Sequence, residues 1–474
     1  MLKSGKKILL VLLMSTSSVA SASQYKQGEV LVKYKDGVLR TRSTMDLLYQ
    51  SVGVKKVRRY SKLLKSLEQL TLGDGTSVEN AIQQLRNDST VEYVQPNFLL
   101  YTLPVQEGPR ALARASGDEG IPCWFPGVPL PPGCDDSGDG GGGNDESQPV
   151  TSPGSLSRPD LAAAPSEVNP PVVDPDMGRL WGMDKINAEE AWKTHRGSHE
   201  FVVADIDTGI DYNHTDLGFN LWRNPNPTDK QDIAGFDFVH NDGLPFDDQE
   251  HGTHTAGTIG AVGGNGLGIS GVNQQVSLMA LKFISQDGSG TTADAIRAID
   301  YAITHGAKVL SNSWGGQGDP DNKALYEAIE RARAKGVLFV AAAGNSSANN
   351  DDPSSASYPA AFENDNLISV AASDQNDGLA YFSNYGKKTT HLAAPGDKIY
   401  STIPGNQYKA MSGTSMACPH VAGAAALLWS KHPEWDYKKV KQVLLSTVDP
   451  LAALKGKTIS GGRLNVLKAL QYQE

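Results

Sequence analysis

Cysteine is nearly absent from this chain: three occur in 474 residues, which excludes a disulfide-built scaffold and a Cys-rich metal fold. Cys123 and Cys134 lie in one Pro/Gly-rich stretch and form a candidate local pair outside the cytoplasm. Cys418, among Ala and Gly, reads as a small buried residue. Long apolar runs are also missing. The run from Ile8 to Met14 falls far short of the ~20 residues needed to cross a bilayer. It follows Lys3, Lys6 and Lys7 and precedes Ala20-Ser21-Ala22, so residues 1–23 read as a secretory signal peptide cut near Ala22 or Ser23. No cysteine stands there for a lipid, so the expected product is a secreted, extracellular monomer without a membrane anchor.

Positive charge is scarce as well. The formal net charge is −10, and it is unevenly spread. Residues 24–101 hold twelve basic against eight acidic side chains, residues 102–177 three against twelve, and residues 178–474 twenty-five against thirty-three. An acidic body argues against a nucleic-acid partner, and the basic segment ahead of it is suited to associate with it.

Four regions are expected. After the signal peptide, residues 24–101 alternate strand and helix signals. Glu29 to Tyr34 alternates with period two, Val78, Ala81, Ile82 and Leu85 mark a helix capped by Thr76 or Ser77, and Val91 to Pro96 reads as a strand. This is a small α+β unit. Residues 102–177 carry 14 of the 26 prolines and read as a linker. Residues 178–474 alternate apolar strands (201–206, 276–283, 308–312, 337–342 and 367–370) with capped helices over about 293–305 and 322–335. That pattern predicts an α/β domain whose parallel central sheet has helices on both faces.

Chemistry-bearing residues fall at the ends of these elements. Ser415 stands in MSGTSMACPH, residues 411–420, at the start of a helix predicted over Thr414 to Lys431, where free N–H groups and the helix dipole suit an oxyanion. Pro419 is read as tolerated there because first-turn N–H groups have no acceptor to lose. Asp207 ends the first body strand just before Thr208-Gly209 and suits the support of a histidine, with Asp205 and Asp211 as nearby alternatives. His251 opens the next Gly/Ala-rich helix as a candidate general base. His254, three residues on, leaves a metal pair open as a rival, although the spacing is not i, i+4 and a third ligand is not obvious.

The segments D-T-G at Asp207, H-G-T-H-T-A-G at His251 and G-T-S-M-A-C-P-H at Ser415, in that order, resemble the three signatures of the subtilisin-like serine proteases; Asp, His, Ser is the chain order of subtilisin. The resemblance covers residues 178–474 and implies an endopeptidase with Ser415 as nucleophile, His251 as base, Asp207 as its support and Asn345 in the oxyanion hole. It implies that polypeptide substrate lies along Ser313, Trp314 and Gly315, with Ala342 and Gly344 on the other wall of the specificity pocket. Trp314 stands where the family often has a smaller aliphatic residue, which implies a narrowed subsite. The loop at 262–269 resembles the family's calcium loop and implies structural calcium held by Asp216, Val262, Asn265, Leu267 and Ile269. Residues 24–101 are similar to the family's inhibitory prosegment, which would fill the cleft with Phe98 to Tyr101 until self-processing. The rival readings are a catalytically silent peptide binder and a metal hydrolase.

Overall fold

A computed structural model describes residues 24–38, 40–60, 66–103, 173–228, 230–317 and 320–473. The signal peptide, Cys123, Cys134 and nearly all of the linker lie outside these residues.

The N-terminal unit runs β1 (Tyr25–Tyr34), α1 (Arg42–Val52), β2 (Val54–Arg59), β3 (Leu67–Leu72), α2 (Val78–Arg86) and β4 (Val91–Thr102). Its strands pair antiparallel in the order β2-β3-β1-β4. Thr41 caps α1 and Ser77 caps α2 through their hydroxyls. The pleat divides β1 between two neighbours: Val30, Val32 and Tyr34 pack on Met45, Tyr49, Val52 and Leu85 of the unit's own helices, while Leu31 belongs to a core cluster of the C-terminal body.

The body contributes β5 (Gly197–Asp207), β6 (Gly235–Asp237), α3 (His251–Gly260), β7 (Gln275–Lys282), β8 (Ser289–Thr291), α4 (Thr292–Thr304), β9 (Val309–Asn312), β10 (Trp314–Gln317), α5 (Lys323–Ala334), β11 (Leu338–Ala342) and β12 (Ser357–Tyr358). Then follow β13 (Leu367–Ser373), β14 (Leu392–Pro395), the hairpin β15 (Ile399–Ile403) and β16 (Gln407–Met411), α6 (Thr414–Lys431), α7 (Tyr437–Ser446), β17 (Asp449–Pro450) and β18 (Gly462–Arg463). Nine strands form one sheet in the order β17-β18-β14-β13-β11-β9-β5-β7-β6, parallel except at β17.

Two apolar clusters cover the two faces. One gathers Val203, Val340 and Val370 with α3, α6 and α7; the other gathers Ala204, Ile206 and Phe339 with α4 and α5. Strand order reverses at β5, where β9 lies on one side and β7 on the other, so the cleft expected at a parallel sheet's switch point falls beside Asp207.

The two units share β4. Its first part pairs with β1, while Leu99 to Thr102 pair antiparallel with β8 on one edge and with β10 on the other. The strand is longer than the Val91 to Pro96 expected, because its later residues find most of their partners in the body, beside Phe98 with Tyr25 and Leu99 N with the Gln24 carbonyl.

Candidate active site

Asp207 ends β5, and Gly209 two residues on has φ +106; a Cβ there would stand 2.6 Å from the Pro245 carbonyl, so only glycine makes this turn. Gly252 packs equally closely, since its Cβ would meet the Gly209 carbonyl at 2.1 Å. These two contacts seat the first turn of α3 on the end of β5. His251 Nδ1 then lies 2.7 Å from Asp207 Oδ1, with both side chains buried. Asp247 braces the same turn: Oδ1 accepts from Thr208 Oγ1 at 2.8 Å and Oδ2 from Thr253 N at 2.8 Å.

Burial by itself would lower the His251 pKa, but the charge and hydrogen bond of Asp207 outweigh it, and the imidazole titrates above its ordinary 6.5. Among the described residues its Nε2 has no hydrogen-bond partner. His254 differs. Its Nε2 faces the Ile399 and Lys409 carbonyls at 3.0 and 3.1 Å, so it donates there, and burial pushes its pKa down to about 3. It is a structural tie between α3 and the β15–β16 hairpin.

Ser415 is the second residue of α6, which packs against α3. Pro419 is the sixth residue of α6, not a first-turn residue as the sequence reading had it. Its missing N–H therefore leaves the carbonyl four residues back, that of Ser415, without its helical donor. Ser313 Oγ supplies the replacement at 2.9 Å, and Ser415 Oγ donates back to the Ser313 carbonyl at 2.9 Å. This reciprocal pair ties the start of α6 to the residue before β10. No hydrogen bond joins Ser415 Oγ to His251 Nε2 among the described residues.

Asn345 Oδ1 accepts from Thr414 N and Oγ1, both at 2.9 Å, which aims the other end of its amide. A Cβ on Gly413 would stand 3.1 Å from Asn345 Nδ2 and 3.6 Å from Ser415 N, so the two N–H groups converge on the space that this glycine leaves open. That is an arrangement for an oxyanion. Cys418 is buried with Sγ 3.5 Å from the Val340 carbonyl, and burial pushes its pKa to about 12, an inert thiol.

The expected substrate wall is occupied by β4. Thr102 pairs with Trp314 and Tyr101 with Gly315, and the same register sets Leu103 opposite Ser313. Leu103 is buried in the cluster that contains Ala342, while Gly344 N, on the same wall, donates to Thr414 Oγ1 of α6 at 3.0 Å. Trp314 is wholly buried, edge to face with Phe283 at 4.9 Å, in the cluster that also takes Leu100. Its indole is thus committed to the core beneath β10.

In the loop at 262–269, Asp216 Oδ1 accepts from Asn265 Nδ2 at 2.8 Å and Oδ2 from Ile269 N at 3.0 Å. Asn265 turns its nitrogen to Asp216, and its Oδ1 accepts from Leu267 N. Val262 is buried beside them and Leu267 is exposed. Sequence reasoning missed Asp174, assigned to the linker, whose buried carboxylate accepts from Gly264, Asn265 and Gly266 N at 2.8 to 3.0 Å. A lone acid in a proline-rich stretch gave no signal. Burial first, then the neighbouring Asp174 charge, pushes Asp216 to about 6. Neither carboxylate has an ion-pair partner among the described residues, and no group of three His, Cys, Asp or Glu gathers there. Two acids without ion-pair partners suit a hard cation such as calcium, and binding it requires the Asn265 amide to turn its oxygen toward them and carbonyls to complete the shell.

Residues 198–464 match the subtilase family, and residues 14–97 match the fervidolysin N-terminal prodomain. Thermitase from Thermoactinomyces vulgaris is 40% identical over 294 residues, 62% of this chain and 96% of that protein. The thermophilic serine proteinase of Bacillus sp. (strain AK1) is 33% identical over 448 residues, 94% of this chain and 88% of that one. Among solved structures, fervidolysin from Fervidobacterium pennivorans, a keratinolytic enzyme related to subtilisin, aligns with a TM-score of 0.67 at 25% identity, over 95% of this chain and 62% of its own. The chain belongs to the subtilase family of serine peptidases and carries an N-terminal prodomain of the fervidolysin type.

Proposed function

We propose that this protein is a secreted serine endopeptidase, made as a proenzyme that processes itself, with Asp207, His251 and Ser415 as its triad. The observation that carries the reading is the buried 2.7 Å contact between Asp207 and His251, with His251 Nε2 left without a partner among the described residues. Ser415 Oγ gives its proton to that nitrogen as it bonds to the substrate carbonyl carbon. The oxyanion is received by Asn345 Nδ2 and Ser415 N. His251 then passes the proton to the departing amine, leaving an acyl-enzyme that water hydrolyses by the same route. Asp207 holds the tautomer and steadies the imidazolium.

Ser313, Trp314 and Gly315 bind substrate as an added strand, as they bind β4, and Ala342 and Gly344 line the pocket for the residue at the reacting carbonyl. Leu103 takes that place in the proenzyme, so the prodomain inhibits by standing as substrate. Calcium, held by Asp174 and Asp216 with oxygens of Val262, Asn265, Leu267 and Ile269, would neutralise the loop's acids and clamp it. Residues 1–23 direct export, and no helix among the described residues is long and apolar enough to cross a membrane.

The test is labelling with a serine-directed phosphonate, read by intact mass. The activated wild type gains one adduct and Ser415→Ala none; an adduct on the variant, or inhibition by zinc chelators in place of labelling, overturns the assignment.

A further inference from the structure

Asp205 stands two residues before Asp207 on the same face of β5, and nothing in the mechanism above uses it. Its carboxyl is wholly buried, and its paired neighbours on the adjoining strands are Ala280 and Ser311. No Lys or Arg forms an ion pair with it among the described residues. Oδ1 has no hydrogen-bond partner there, and Oδ2 lies 2.8 Å from Thr255 Oγ1. Thr255 is one helical turn beyond His251 on α3, and its hydroxyl is also 2.9 Å from the Gly252 carbonyl.

A hydroxyl has one hydrogen. If Thr255 gives it to Asp205, the contact with the Gly252 carbonyl sets two acceptors 2.9 Å apart. If Thr255 gives it to Gly252, Asp205 must bring a hydrogen of its own. Apart from a weaker three-centre bond shared by one hydrogen, only the second arrangement makes both short contacts hydrogen bonds.

We propose that Asp205 is a neutral carboxylic acid, whose O–H donates to Thr255 Oγ1 while Thr255 donates to the Gly252 carbonyl, and that this relay positions His251 by fixing the first turn of α3 to the triad strand. The role in catalysis rests on the triad reading above; the protonation does not. Burial, then the neighbouring Asp207 charge, raises the Asp205 pKa well above that of a free carboxyl. The ionisable groups around it are Asp207 on its own strand, Asp247 and His251 at the start of α3, Cys418 from α6, and Lys282 from β7. The Lys282 ammonium is taken by Asp248 and by the Thr208 and Ile284 carbonyls. The opposite face of β5 presents Ala204 and Ile206.

Infrared difference spectra test protonation without any turnover. The full chain carrying Ser415→Ala, compared with Ser415→Ala/Asp205→Asn at neutral pH, should show a protonated-carboxyl C=O band that the second variant loses; if no such band differs, the proposal is overturned. In the active enzyme, Asp205→Val should lower kcat about 10-fold with KM unchanged, for a His251 displacement below the 1 Å that costs ~100-fold. Asp205→Asn, which offers an N–H in place of the acid O–H, should recover most of that loss with the acid limb of the pH profile unmoved. A downward shift of that limb in Asp205→Asn would mean that a charge had been removed near His251, and would overturn the neutral acid. Full kcat in Asp205→Val would overturn the positioning role. Should Asp205→Val fail to fold, the band and the Asp205→Asn profile still decide.

Discussion

The prodomain and the body bury their sheets in opposite ways. The body covers both faces of its nine-stranded sheet with its own helices, so nearly all of its two apolar clusters comes from one stretch of chain. The prodomain covers one face with α1 and α2 and leaves the other to the body, where Leu31 and Leu67 enter a cluster built from α4 and α5. Fully burying one such side chain contributes roughly 1.5–3 kcal/mol, so much of the prodomain's order depends on its partner. Strand β4 shows the division within twelve residues. Its first part belongs to the prodomain sheet, and its last four residues are read by the body as they would be read in a substrate. A body that supplies nearly all of its own clusters and a prodomain that does not can be separated with little loss to the body.

The sharpest break between the two is Ser415→Ala, which leaves every prodomain contact in place and removes only the body's chemistry. The expected loss in kcat is about 10⁶-fold, the size known for subtilisin, a member of this family. The intact mass of the secreted variant should retain the prodomain covalently; cutting as in wild type would show that another protease separates the units. Asn345→Leu should cost ~100 to 1,000-fold in kcat with little change in KM, again the scale of the corresponding subtilisin change, because its amide meets charge that exists only in the transition state. Loss in KM alone would instead make Asn345 a substrate contact.

Register adds a sharper form of the first experiment. Leu103 stands opposite Ser313, and residue 104 is proline. If Leu103 takes the place of the residue at the reacting carbonyl, as proposed above, the leaving nitrogen of the bond to be cut belongs to a proline ring without an N–H, which suits that bond poorly to cleavage. Pro104→Ala should speed the appearance of the mature form, with the new N-terminus at residue 104. Unchanged timing and an N-terminus farther along would show that the linker is cut by a different route.

Two measurements concern the body alone. Calcium at 100 times its Kd adds about 2.7 kcal/mol of stability, so chelation should lower the Tm and Asp216→Asn should remove the response; a Tm indifferent to chelation ends the calcium assignment. For activity the sign follows from His251. The base must be neutral, and its pKa lies above 6.5, so kcat/KM should rise with pH through a midpoint above that value. A midpoint below 6.5 would mean that Asp207 does not outweigh burial.

The family was legible in the sequence because each proposed catalytic residue sits in a short local signature at the end of an element. The helices after residues 291 and 322 were legible from their amphipathic spacing and from the glycines Gly306 and Gly336 beyond their ends. What escaped depended on distant partners. Leu99 to Thr102 gain strand form mainly between β8 and β10, with one further bond from Leu99 N to the Gln24 carbonyl. Asp174 acts only once the loop at 264–266 is folded over it. Pro419 looks like a first-turn residue until Ser313 is seen supplying the bond it removes. Helix α1 turns Met45, Tyr49 and Val52 fully inward and Leu48 partly, with Leu47 exposed, which blurs its period.

The smallest expected effect probes how the body holds its incomplete partner. Gln95 Oε1 accepts from Ala324 N at 2.9 Å and Asn97 Oδ1 from Ala293 N at 3.0 Å, so two prodomain side chains satisfy first-turn N–H groups of α5 and α4. Those helices also carry caps of their own, Asn322 and Thr291, so the body does not need the prodomain for its fold. Losing a capping oxygen costs ~1 kcal/mol, which predicts that Gln95→Ala and Asn97→Ala each weaken inhibition by the cleaved prodomain roughly fivefold, with no change in the Tm of the mature body. The Gln95 substitution should be the larger, because its Nε2 also donates to Asn322 Oδ1 of the body at 2.9 Å, whereas the second bond of Asn97, to Glu29, stays within the prodomain. If both variants inhibit as well as wild type, the apolar face and the strand in the cleft carry the association, and the caps merely follow from it.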